Sequence, residues 1–160
     1  MQNLFLSGAQ FVISIITAAI VAYLSVWLFD RTTRGLDEWA ELRKGNVAVG
    51  IVLGALIFGV AIVLRPALAP VSISLDIGPT NDVATRLLIQ GLQILVGLFL
   101  AVISIGLSLW LFTRLTGSID EWAEIGRGNA AIAIMLAGVI LATSLIASTA
   151  LDSILGLILR

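Results

Sequence analysis

The chain has 160 residues, of which 59% are hydrophobic and only 12% charged, with a net charge of −1. Soluble domains are about 45–50% apolar and about 25% charged, so this composition leaves too little polar surface to coat a globule in water. Cysteine and histidine are both absent, which excludes disulfide frameworks, thiol nucleophiles, imidazole triads and thiolate or imidazole metal sites, and the near-neutral charge gives no basic field for nucleic acid.

Four uncharged apolar runs follow one another, over residues 4–29, 47–64, 87–112 and 130–151. Each reaches the run of about 18 residues that predicts a membrane-spanning helix. The first and third have 26 residues, roughly 39 Å of helix against a hydrocarbon core of about 30 Å, so they are expected to tilt or project. A signal peptide fits the first run poorly, because it lacks a basic leading region and its apolar stretch is too long.

Orientation follows from the basic residues. Segment 30–46 carries Arg31, Arg34, Arg43 and Lys44, and segment 113–129 carries Arg114 and Arg127, against Arg65, Arg86 and Arg160 on the other side. This bias places the two short connections in the cytoplasm and both termini outside. The outer connection, 65–86, contains Pro66, Pro70 and Pro79, which forbid a continuous helix and predict an extended linker. Residues 152–160 either extend the fourth helix or lie at the interface.

Compared with itself at a shift of 83 residues, the chain repeats. Over positions 27–46, twelve of twenty residues recur without a gap, including Trp27-Leu28-Phe29 as Trp110-Leu111-Phe112 and Asp37-Glu38-Trp39-Ala40-Glu41 as Asp120-Glu121-Trp122-Ala123-Glu124. The matches are mostly polar, charged or tryptophan, so shared apolarity does not produce them. The chain is a duplicated two-helix unit, with residues 1–82 as one copy and 83–160 as the other. Each unit crosses twice, so both copies enter from the same side as parallel repeats about a pseudo-two-fold axis. The expected fold is an all-α integral membrane protein: a four-transmembrane-helix bundle of two tandem parallel two-helix repeats with short amphipathic cytoplasmic connections.

The second helix of each unit carries two stripes of small residues, about 140° apart at 100° per residue. One is Ala48, Ala55 and Gly59, copied as Ala131, Gly138 and Ala142; the other is Gly50, Gly54 and Ala61, copied as Ala133, Ala137 and Ser144. Small residues let helix backbones approach closely, so two close neighbours are expected for each such helix, one of them across the pseudo-axis or in another subunit. Gln10 and its copy Gln93, in the first helices, read as interhelical hydrogen-bonding glue.

Each connection reads as a short surface helix. Ser118-Ile119-Asp120-Glu121 fits a capping box, with Gly35 at the serine position of the first copy. Gly45 and Gly128 sit where that helix ends, and Asn46 and Asn129 where the next begins. Trp39 and Trp122, with Trp27 and Trp110, are expected at headgroup depth as interface anchors. Glu38, Glu41 and Asn46, with Glu121, Glu124 and Asn129, form the candidate site for a hard cation, a polyamine or a protein partner; the alternative is a solvated acidic face with helix caps.

The motifs Glu38-Trp39-Ala40-Glu41 through Gly45-Asn46-Val47-Ala48, and Glu121-Trp122-Ala123-Glu124 through Gly128-Asn129-Ala130-Ala131, together resemble the YjfL-like family, small prokaryotic membrane proteins catalogued as domain of unknown function 350. The resemblance covers about positions 6–150 and implies a prokaryotic inner-membrane protein with no established activity and no catalytic residues. From the residues themselves, no enzyme, metal or cofactor is expected: the spans hold no Asp, Glu, Lys or Arg, which weighs against proton relays and ion-coupled pumps. The expected role is a non-enzymatic module in the lipid bilayer that forms a homo-oligomer through its small-residue faces and presents the acidic connections to a cytoplasmic partner. The alternative is an oligomeric small channel or cation-responsive transporter with carboxylates at its mouth.

Overall fold

The computed structural model describes residues 2–33, 37–68, 83–117 and 119–158. It contains α1 (Gln2–Thr32), α2 (Glu38–Arg43), α3 (Val47–Leu64), a 3₁₀ turn at Arg65–Leu68, α4 (Val83–Leu115), α5 (Glu121–Gly126) and α6 (Ala130–Ile158). Four of these helices are long and apolar enough to cross a membrane. Three outrun the uncharged spans: α1 reaches Thr32, α4 starts at Val83, and α6 continues to Ile158. Charge ends the part of a helix that suits lipid, but it does not break backbone hydrogen bonding, so these helices are long enough to tilt or to project beyond the core. Residues 152–158 therefore extend the fourth helix. The proline-rich stretch 69–82 lies outside the described residues.

The bundle is open rather than four-square. The widest contact is between α3 and α6; α4 packs on both of them, and α1 packs on α3 with a smaller contact to α4. Among the described residues, no comparable contact joins α1 to α6. The central helix is α3, with Val49, Val52, Leu56, Val60 and Val63 fully buried. Its position agrees with its length, because 18 residues span only about 27 Å and need no projecting ends.

Buried hydroxyls in the spans are satisfied close to home. The hydroxyls of Thr17, Ser25 and Ser144 are buried and donate to the carbonyls of Ile13, Val21 and Ile140, one turn back. In lipid no water replaces such bonds, and this return to the i−4 carbonyl keeps a small hydroxyl compatible with a tight seam.

The seam between α3 and α6 is made by unlike stripes. A Cβ placed on Gly59 would lie 2.7 Å from Ser144 Oγ and 2.9 Å from Ile140 Cγ2. Gly59 belongs to the first stripe of its repeat and Ser144 to the second. Ala48, Ala55 and Gly59 are buried, as are Ala133 and Ser144, while Ala131, Gly138 and Ala142 are exposed. Gly50 and Gly54 are half-buried, and Ala61 is exposed. The two repeats therefore bring different stripes to this seam, and the reciprocal pair, Ala61 and Ala142, is exposed. Here a ridge at Ile140 enters the notch left by Gly59.

Candidate functional site

The two connections lie side by side at one end of the bundle. Each is built by the same local chemistry. Asp37 and Asp120, both in extended backbone, cap α2 and α5 by accepting from the amides of Ala40 and Ala123 at 2.9 and 3.0 Å. The cap therefore lies two residues later than the pattern led by Ser118 or Gly35 suggests; those two residues are outside the described set. An Asp oxygen reaches the third amide as well as a Ser oxygen does, and the extended backbone of each aspartate suits an N-cap.

Both short helices end in the same way. Gly45 and Gly128 have φ of 79° and 85°, the left-handed conformation that glycine adopts without a Cβ penalty. Their amides donate to Leu42 and Ile125, and those of Asn46 and Asn129 donate to Glu41 and Glu124, the paired bonds of a Schellman turn. The next helix starts at once. Asn46 Oδ1 accepts from Ala48 and Val49, and Asn129 Oδ1 from Ala131 and Ile132, as the sequence leads one to expect of an N-cap.

The carboxylates of Glu41 and Glu124 hold this turn together. Glu41 accepts from Lys44 Nζ at 2.7 Å and from Asn46 Nδ2 at 3.0 Å; Glu124 accepts from Arg127 Nη1 at 2.6 Å and Asn129 Nδ2 at 2.8 Å. The asparagine amide first, and the neighbouring cation second, hold each carboxyl below its ordinary range. Glu38 and Glu121 are buried rather than solvated, and Thr116 Oγ1 donates to the Glu121 carboxylate. The described residues contain no group of three carboxylates able to hold a metal ion.

Repeat symmetry then breaks. Asn46 Nδ2 also reaches across to the carbonyls of Ile125 and Gly126, at 3.0 and 3.2 Å. Phe29, at the end of α1, meets Trp122 edge-on with ring centroids 6.2 Å apart. Ile125, between Trp122 and Gly126 in sequence, is completely buried. Beside Asn129, where the corresponding contacts would fall, the structure has a cavity of about 480 Å³ lined by Ile119, Asp120, Ala123, Glu124, Arg127, Asn129 and Ile132.

The four tryptophans divide accordingly. Trp27, Trp39 and Trp110 are exposed near the connections, and the Arg114 guanidinium lies 5.0 Å from the Trp110 ring. Trp122 is half-buried against Phe29, as part of the inter-repeat contact. At the opposite end of α4, Gln93 is buried, and so is Gln90, whose Nε2 has no hydrogen-bond partner among the described residues. Repetition does not pick out Gln90, since Ser7 stands at its place in the first copy. The side chain of Gln10 lies outside the described residues.

Four apolar helices arranged as two hairpins, both with their connections at one end, define a multi-pass helical membrane protein built from tandem repeats. The chain belongs to the family described as Domain of Unknown Function (DUF350), whose model matches residues 2–87 and again residues 84–159. No curated protein and no solved structure matches it.

Proposed function

We propose that the chain is a non-enzymatic scaffold of the prokaryotic cytoplasmic membrane that self-associates through small-residue helix faces and presents its acidic connections to a cytoplasmic partner, with both termini outside. One observation carries the reading. The small face Ala131, Gly138 and Ala142 is exposed on α6, whereas its copy on α3 is buried in a helix seam. In lipid, apolarity alone gives helices no reason to associate, so small faces that permit close backbone contact are the usual seams.

The cytoplasmic placement of the connections is supported by their excess of Lys and Arg. Presentation to a partner is supported by Asp37, Asp120 and Trp39, which are exposed together with the ends of the short helices. The native mass of the protein, released from lipid nanodiscs, tests self-association. The expected result is a species of two or more chains, and a single chain at micromolar concentration would overturn the reading.

A further inference from the structure

Among the described residues, the polar and aromatic contacts between the repeats run in one direction. Asn46 of the first repeat donates to the Ile125 and Gly126 carbonyls of the second. Shifted by one repeat, the same bond would run from Asn129 to the carbonyls of Leu42 and Arg43. Among the described residues, Asn129 Nδ2 makes only the bond to Glu124, the counterpart of Asn46 to Glu41, beside the cavity, and Leu42 is half-buried where Ile125 is enclosed. The ring pair Phe29–Trp122 would be answered by Phe112–Trp39, yet Trp39 is 54% exposed. Within the membrane, Gly59 against Ser144 would be answered by Ala142 against Ala61, and both of those are exposed.

These three unmade contacts, at the cap, the aromatic pair and the helix seam, lie at two different depths and belong to one interface. A contact whose halves differ is heterologous: it leaves one unused half at each end, and repetition extends it into a ring where the rotation closes and into a filament where it does not. We propose that the partner on these surfaces is a second copy of this chain, docked head to tail, so that the second repeat of one chain meets the first repeat of the next through the same interface that joins the repeats internally. In that arrangement the connection of the neighbouring chain, Leu42 and Arg43, fills the cavity beside Asn129. The neighbour's α1 covers α6 as α4 covers α3 within one chain. A closed ring of chains leaves no unmatched end. The inference rests on the self-association proposed above and adds its direction.

The absence of cysteine makes the test clean. Two differently tagged chains, one with Ala61→Cys and one with Ala142→Cys, are expressed together and oxidised in native membranes. A second set pairs Trp39→Cys with Phe112→Cys. Head-to-tail docking gives mixed disulfides between the two tagged chains for both sets, and little product from either single variant alone. Products joining like with like, without the mixed species, would overturn the direction while leaving self-association in place. So would a multimeric native mass with no crosslink at either set. A single-chain mass with no crosslink would remove both.

Discussion

Substituting Gly59 with leucine is expected to destabilise the chain by about 3 kcal/mol, the upper range for forcing volume into a packed seam. Even a Cβ at this position would fall 2.7 Å from Ser144 Oγ and 2.9 Å from Ile140 Cγ2, with Ile105 Cδ1 at 3.5 Å. Ile140 is β-branched and held in a helix, so its Cγ2 has almost no freedom to move aside. Ser144 is held by its bond to the Ile140 carbonyl. Gly97 is the useful contrast. Its Cβ would meet the ends of Leu64 and Leu151, at 2.8 and 3.3 Å, which other rotamers can withdraw. Gly54 has nothing within 4 Å, so Gly54→Leu leaves the fold of the single chain intact. Thermal unfolding in mild detergent checks the order, with Gly59→Leu falling furthest and Gly54→Leu close to the parent.

The two asparagines have the same local surroundings but should not tolerate alanine equally. Asn129→Ala removes a helix cap and a bond to Glu124, a loss of about 1 kcal/mol. Asn46→Ala removes the same two interactions, and it also strips the Ile125 and Gly126 carbonyls of the donor that joins the repeats. Roughly 2–3 kcal/mol is expected from that sum, since the part-buried Gly126 carbonyl loses its donor and adds its own desolvation cost, while the Ile125 carbonyl keeps the Gly128 amide. The pH dependence changes in parallel. The Glu41 carboxyl is held below its usual value of about 4.5, so its contribution is complete above that value and is lost as the pH falls through the lower pKa of the folded chain. Without the Asn46 amide, the strongest cause of the lowering is gone, the folded pKa moves back toward the ordinary value, and less stability is lost on acidification, over a narrower pH window. Unfolding followed across an acid series for both variants checks the magnitude and the sign.

What could be read from the residues alone was whatever depended on local chemistry or repetition. The spans follow from uncharged runs, the duplication from Asp37 to Glu41 recurring as Asp120 to Glu124, and the caps at Asn46 and Asn129 from an asparagine placed just after a glycine. The starts of α2 and α5 were legible only to within two residues. Ser-Ile-Asp-Glu and Asp-Glu-Trp-Ala both fit an N-cap pattern, and the extended backbone at Asp120 decides between them. Depth of burial was not legible for Glu38 and Glu121, because their acidic surroundings suggest a solvated face, whereas the end of the bundle covers both.

The choice between stripes was hidden for a deeper reason. Both stripes of α3 and both of α6 are small, so either could form the seam, and the residues state no preference. Tertiary packing selects the first stripe of one helix and the second of the other. That unlike pairing makes two nearly identical repeats energetically different: Asn46 bridges and Asn129 does not, and Trp122 packs where Trp39 stands exposed.

Every one of these statements depends on two hairpins inserted in the same direction, with α2 and α5 on one side of the lipid. Lys44 and Arg127, both exposed at the ends of those helices, can each be replaced singly by cysteine and labelled in sealed vesicles with a membrane-impermeant maleimide. Both positions are expected to react from the same side, the cytoplasmic one. Labelling of one from inside and the other from outside would contradict the account at its root.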